Sequence, residues 1–247
     1  MKHVAALALG LAAGASRAAA QEAGAAAAPV AGLQARFAVW RPKDELHAKF
    51  EEGYRQHLQW HRTHADPWSW YGWLVVSGPR RGTFVDATFG HAPADFDHAV
   101  APAADAADNA LHTVPFATLQ ESFTVAQLPD ASSAGPPRLA APFLRAYYLT
   151  ARNAAAAKPL LAKLRTVAAQ KFPAQPLYCY QWLDGGQLPQ FLVLLPFASY
   201  ADSGALSLVL DELAALDARG VVQSIQAETL RYRADLSYFP GVPPAAK

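Results

Sequence analysis

Cysteine and methionine are almost missing from this chain, with one of each in 247 residues. A single thiol cannot close a disulfide within the chain, so packing has to hold the fold. That thiol, Cys179, stands between Tyr178 and Tyr180 in an apolar run and reads as a buried structural group, not a nucleophile. Charge is also scarce: Asp, Glu, Lys and Arg make up 17% and balance to a formal +1. Pro79-Arg80-Arg81 and Arg231-Tyr232-Arg233 are the only short basic runs. Phosphate binding needs a basic stripe, so nucleic acid is not an expected partner.

No apolar run is long enough to span a membrane, which takes roughly 20 residues. The run Val4 to Ala15, preceded by Lys2 and His3 and followed by Ala18-Ala19-Ala20, reads instead as a cleavable export signal over residues 1–20. The expected mature start is Gln21, with a periplasmic or secreted location. No cysteine follows the run, so a lipoprotein anchor is not expected. Catalytic signatures are missing as well. There is no G-x-S-x-G elbow, no glycine-rich phosphate loop and no H-E-x-x-H pair. The carboxylates Asp95, Asp97, Asp105 and Asp108 lack calcium-loop spacing and read as a solvated helix face.

Aromatic residues and histidine are present, and they are concentrated. Between Asp44 and Gly90 a histidine-bearing helix, for which Asp44 is a suitable N-cap, leads to Asp66-Pro67 and then to the tryptophan-rich strand Trp68 to Ser77. That strand is apolar on both faces, so it is expected to be covered on both. A Gly/Pro turn joins it to the strand Thr83 to Phe89. A second helix over Ala94 to Leu111 and a strand over Thr118 to Gln127 complete a unit that begins with a strand at Phe37 to Trp40.

After a Pro-rich linker at 129–142 the order repeats. Strand Leu144 to Thr150, helix Ala154 to Lys171, strand Leu177 to Leu183, strand Gln190 to Leu195, helix Leu206 to Leu216 and strand Thr229 to Tyr238 follow in turn. Landmarks recur at a near-constant offset: Trp40 to Tyr147 is 107 residues, Trp73 to Trp182 is 109, and Phe89 to Phe197 is 108. This is the trace of a duplication. The domains expected are a flexible lead-in at 21–35, a first repeat at 36–128, the linker at 129–142, a second repeat at 143–239 and a tail at 240–247. Each repeat has the split βαββαβ order of a ferredoxin-like unit. The fold class is α+β, with two such repeats packed through their bare sheet faces as a pseudo-dimeric α/β barrel.

This order, the hairpin from Trp73 through Gly78-Pro79 to Gly82, and the strand Phe84 to Gly90 resemble the dimeric α/β-barrel superfamily in its tandem, pseudo-dimeric form. The similarity runs over residues 36–239 and is nearest to the branch of NIPSNAP-like and antibiotic-biosynthesis-monooxygenase-like proteins. The resemblance implies a fold. It spans cofactorless oxygenases, haem enzymes and proteins with no known activity, and it carries over no catalytic residue.

The candidate site residues all lie in the first repeat, because the second has no histidine. Turning roughly 100° per residue from Leu46, His57, His61 and His64 fall within about 60° of it, on the apolar stripe. Imidazoles at this spacing suit a transition metal, and a haem or a proton-transfer role is also open. Equally, they could be polar groups satisfied under the helix by Asp66 or Asp86. Trp68, Trp70, Tyr71 and Trp73, with His61, could wall a pocket for a small apolar or aromatic ligand, or simply fill the core. Asp86, alone among apolar strand residues, and His91 after the strand end would form an acid–base pair if both pointed inward. No cofactor is named by these residues. Two functions stand beside each other: an exported binder of a small ligand, and a monooxygenase-like or metal- or haem-dependent oxidoreductase. A pseudo-dimer of this kind is expected to be monomeric or weakly self-associating.

Overall fold

The computed structural model describes residues 32–244, so the export signal and most of the lead-in fall outside the described residues. Eight strands and four helices are arranged as two βαββαβ units. The first contains β1 (Gln34–Pro42), α1 (His47–Thr63), β2 (Tyr71–Ser77), β3 (Phe84–His91), α2 (Pro102–His112) and β4 (Ala117–Gln127). The second contains β5 (Phe143–Ala151), α3 (Ala154–Lys171), β6 (Tyr178–Asp184), β7 (Gln190–Phe197), α4 (Gly204–Leu216) and β8 (Val222–Tyr232). All strand pairings are antiparallel, and the order β1-β3-β2-β8-β5-β7-β6-β4 closes into one barrel. Each unit keeps its own four strands adjacent. The β2–β8 and β4–β6 pairings join the units, so no sheet edge stays open.

Strand alternation sends every second residue into the barrel. Phe37, Trp73, Val85, Phe123, Tyr178, Tyr180, Trp182 and Leu192 fill it. The opposite parity faces the helices and makes two separate outer cores. Under α3 and α4 lie Tyr147, Leu149, Cys179, Phe191, Val193 and Leu195. Under α1 lie Trp40, Phe84, Leu236 and Tyr238, packed on Phe50, Tyr54 and Leu58. The strands are thus apolar on both sides because both sides are covered.

Several boundaries differ from the sequence reading, among them the starts of β2 at Tyr71 and of β8 at Val222. Asp44 does not cap α1: Leu46 stands at the cap with no side-chain bond, because Glu45 takes a left-handed turn (φ 62) and carries Asp44 out of position. The helix expected over Ala94 to Leu111 is broken into a 3-10 turn at Pro93–His98 and α2, since Pro102 has no N–H and Ala101 is left-handed (φ 39). β8 ends at Tyr232, not Tyr238. The chain beyond it crosses the outside of β2, where Arg233 N donates to Gly72 O, Gly72 N donates to Ser237 Oγ, and Tyr238 bridges to Trp70. A Cβ on Gly72 would strike the Leu236 carbonyl, so only glycine admits this crossing. The lead-in is shorter than expected, with Gln34 and Ala35 already paired in β1. Within the 129–142 connection Leu139 is buried against the barrel core and its carbonyl accepts the Trp73 indole N–H (3.2 Å), so this segment is packed against the barrel. No helix among the described residues is long and apolar enough to cross a membrane.

Candidate functional site

α1 places His57 and His61 one turn apart on its buried face, and both rings are almost fully enclosed (side chains 7% and 5% exposed). The stripe that should hold aliphatic side chains carries imidazoles instead, and carboxylates from three directions meet them. His57 Nδ1 lies 2.9 Å from Asp108 Oδ1 on α2. His61 Nδ1 lies 2.7 Å from Asp66 Oδ2, in the turn after α1. Ala65 makes that turn in the left-handed region (φ 49), bringing the Asp66 N–H to the His61 carbonyl and the Asp66 carboxylate back under the ring. The Trp70 indole and the Trp68 amide also donate to Asp66, and the Tyr238 hydroxyl donates to its carbonyl. Trp70 and Tyr238 pack on the His61 ring at 5.2 and 5.9 Å.

The outer nitrogens converge. His57 Nε2 is 3.4 Å and His61 Nε2 is 3.8 Å from the same atom, Asp105 Oδ1, which is buried and has no hydrogen-bond partner. His57, His61 and Asp105 bring one ligand atom each within 4.8 Å of one another, the one group among the described residues that could hold a metal ion.

Electrostatics sharpen the picture. Burial holds the His57 ring below the usual imidazole range, against the pull of Asp108, so its neutral form is favoured. Burial pushes the Asp66 carboxyl up, but the bonds from His61, Trp70 and Trp68 together outweigh this and hold it below its usual range. Asp86 lies on the outer face of β3 beneath α1, accepting from the Trp40 indole (2.8 Å) and the Tyr54 hydroxyl. Its burial pushes the carboxyl up to about 7.

Several sequence expectations are corrected. His64 lies past the end of α1, exposed, with its ring stacked on Trp60 at 4.1 Å and Nδ1 on the Trp60 carbonyl, so it is not a third ligand. Asp86 and His91 do not meet. Gly90 (φ 85) breaks the alternation of β3 just before His91, whose Nε2 bonds Thr88 while its ring contacts Trp68 and Phe96, and Asp86 is taken up instead by the Trp40 indole and the Tyr54 hydroxyl. Trp68, Trp70, Tyr71 and Trp73 do not share one wall. Tyr71 and Trp73 stack inside the barrel (5.7 Å), Trp70 lies outside it against His61, and Trp68 stands beside His91. Asp105 and Asp108, expected on a solvated face, turn inward. A cleft of about 590 Å³ opens beside the cluster, lined by Arg62, Asp66, Pro67, Tyr238, Phe239 and Pro240.

No protein-family profile matches the sequence, and neither does any curated protein. Solved structures do match in fold. A protein described as a monooxygenase from Lactobacillus acidophilus superposes with a TM-score of 0.56 at 11% identity, over 81% of this chain and 94% of that one. An anthrone oxidase-like protein gives 0.54 at 9% identity, over 87% and 97%. A variant of the chlorite dismutase from Candidatus Nitrospira defluvii gives 0.54 at 8%, over 81% and 92%. The chain therefore has the dimeric α/β-barrel, ferredoxin-like fold, with both halves on one polypeptide.

Proposed function

We propose that this protein is a monooxygenase-like oxidoreductase for small aromatic or apolar molecules, working in its first repeat. The observation that carries the reading is the buried pair of imidazoles, each with its own carboxylate, in a core that the fold otherwise fills with hydrocarbon. In this arrangement Asp66 and Asp108 fix the rings through Nδ1, stabilise the charge a ring acquires on protonation, and leave each Nε2 free to take a proton from a phenol or an activated C–H. The cleft beside Asp66, with Tyr238 and Phe239 on its wall, supports an aromatic substrate. Neighbours described as a monooxygenase and as anthrone oxidase-like support the class only coarsely. Haem does not fit these histidines, since both rings are enclosed between α1, α2 and the sheet and offer no open face to a macrocycle. The NIPSNAP-like placement and the export to the periplasm or beyond belong to the same reading, and the latter rests on the run Val4 to Ala15 and Ala18-Ala19-Ala20.

Oxygen uptake by the purified protein with a panel of anthrones and hydroquinones tests it. Uptake above the buffer rate with at least one compound, lost in a folded His61→Gln variant, is the expected result. If no compound is oxidised while equilibrium dialysis shows one binding stoichiometrically, the protein is a ligand binder and the enzyme reading fails.

A further inference from the structure

Beneath α2, three atoms able to ligate an ion, His57 Nε2, His61 Nε2 and Asp105 Oδ1, face one another. Both rings turn Nδ1 to a carboxylate, Asp108 for His57 and Asp66 for His61, which aims both Nε2 atoms at Asp105 Oδ1. Nothing in the protein answers that oxygen. We propose that His57 Nε2, His61 Nε2 and Asp105 Oδ1 are the protein ligands of a mononuclear site for a divalent first-row transition metal, with Asp108 and Asp66 orienting the rings and the ion fastening α2 to α1.

The spacing is that of ligands around an ion. Separations of 3.4 and 3.8 Å are longer than ordinary N–H···O bonds. Ligands roughly 2.0–2.2 Å from a common ion stand about 3–3.5 Å apart, so 3.4 Å is already an edge of such a polyhedron, while the 3.8 Å separation and the rest of a cluster spanning up to 4.8 Å would close on binding. A ring that ligates through Nε2 and donates Nδ1–H to a carboxylate is the arrangement that orients a metal-bound histidine, and here both rings have it. Two imidazoles, one carboxylate and no thiolate suit zinc or ferrous iron and leave positions open to water or substrate.

α2 supplies an independent observation. A helix ordinarily docks by an apolar stripe. Here Asp105, Asp108, Asn109, His112 and Thr113 form the sheltered side of α2, while Ala103, Ala106, Ala107, Ala110 and Leu111 face solvent, and no residue of the helix itself is buried. Asn109 Oδ1 and Thr113 Oγ1, at four-residue steps from Asp105, are also buried without partners. The second repeat shows that the fold asks for none of this. Leu164 and Ala168, 107 residues beyond His57 and His61, meet Leu206, Val209 and Leu213 of α4 in an apolar contact, with the Lys171–Glu212 ion pair at its exposed rim. The polar seam in the first repeat lacks its counter-charge, and a cation provides it.

The site uses the same two Nε2 atoms as the oxidoreductase reading, which with an ion bound are ligands and not bases, and it is tested by binding alone. Chelator-stripped protein is titrated with Zn²⁺ in a calorimeter and with Co²⁺ by visible absorption, and exchange of the α2 amides is followed with and without Zn²⁺. One ion per chain, cobalt d–d bands and slower exchange over Pro102–His112 are the expected results. Asp105→Asn and His61→Gln should each weaken binding at least about 100-fold, and Asp108→Asn roughly 10–100-fold. His98→Ala, on the exposed 3-10 turn, should bind as the wild type does. A folded wild type that takes up no ion, or an Asp105→Asn protein that binds as tightly and protects α2 as well, would overturn the assignment. Stoichiometric binding without oxygen uptake supports the site and removes only the enzyme reading.

Discussion

Asp86 gives the most direct energetic test of the polar core under α1. It is 6% exposed, pairs across the sheet with Ala38 and Gly72, and holds the Trp40 indole and the Tyr54 hydroxyl. Burial pushes its carboxyl up to about 7, with the hydrogen bonds and the His61 ring pulling back only part of that. In the unfolded chain an aspartate titrates near about 3.9, so between about pH 4 and 7 the native state keeps a proton that the unfolded state releases. Stability therefore falls as pH rises through that window, at up to about 1.4 kcal/mol per pH unit from this residue alone. Asp86→Asn keeps a carbonyl oxygen for Trp40 and cannot ionise. The variant and the wild type should be compared by urea unfolding at pH 5 and pH 8 in chelator, so that no cation holds the carboxylate. The stability gap should move toward the variant by about 2.5 kcal/mol between the two pH values, read from the midpoints at unchanged m. A gap constant within about 0.5 kcal/mol would show that Asp86 is solvated or paired in the native state, and the reasoning would fail.

Three further outcomes follow from particular contacts. Gly53→Ala should destabilise, although the same change in an ordinary helix gains about 1 kcal/mol, because its Cβ would land on the His112 carbonyl and lever α2 away; chemical denaturation and Zn²⁺ titration together check this, and a stabilised variant with full metal affinity would refute it. Trp73→Ala should cost about 3–5 kcal/mol by urea unfolding while leaving Zn²⁺ affinity intact, since Trp73 fills the barrel on the opposite face of the sheet from the histidines; unchanged stability with lost ligand binding would make it a pocket wall instead. Arg80→Met should cost about 3–5 kcal/mol, because Glu228 (side chain 2% exposed) loses its bidentate partner across the junction of the two repeats; Glu228→Gln in the same chain should recover most of it, and no recovery would place the loss elsewhere.

How far the sequence could be read depended on whether a signal was local. The span of α3, Ala154–Lys171, is legible from its own chain, with Asn153 capping the amides of Ala155 and Ala156. The placement of His57 and His61 on the buried face is legible for the same reason, as helical phase fixes it. His64 has the right phase but lies where α1 has already ended, so phase no longer applies. The failed Asp86–His91 pair was not legible, because Gly90 takes a positive φ (85) ahead of His91 and Thr88 takes up its Nε2, a contact that strand phase alone does not give. The end of β8 was not legible, because the crossing over Gly72 depends on a contact more than 160 residues away. Asp105 and Asp108 were misread because acidic residues among alanines look like a wet surface. The contrary signal was weak but real: apart from Leu111, α2 offers no large apolar side chain on any face, so an apolar docking stripe could never have formed.

That last point separates what this fold requires from what this chain adds. Two units of the same topology, helix pair on sheet, solve the same packing problem in two ways. In the second, leucine, valine and alanine close α3 against α4, and hydrophobic burial accounts for the contact. In the first, α1 and α2 meet through two imidazoles, two aspartates and orphaned oxygens, a contact that burial penalises through desolvation and that hydrogen bonds satisfy only in part. A duplicated scaffold needs only its apolar version to stand. Polar groups stand at this seam where the sister repeat has apolar ones, and the unanswered Asp105 oxygen marks where a bound cation would act.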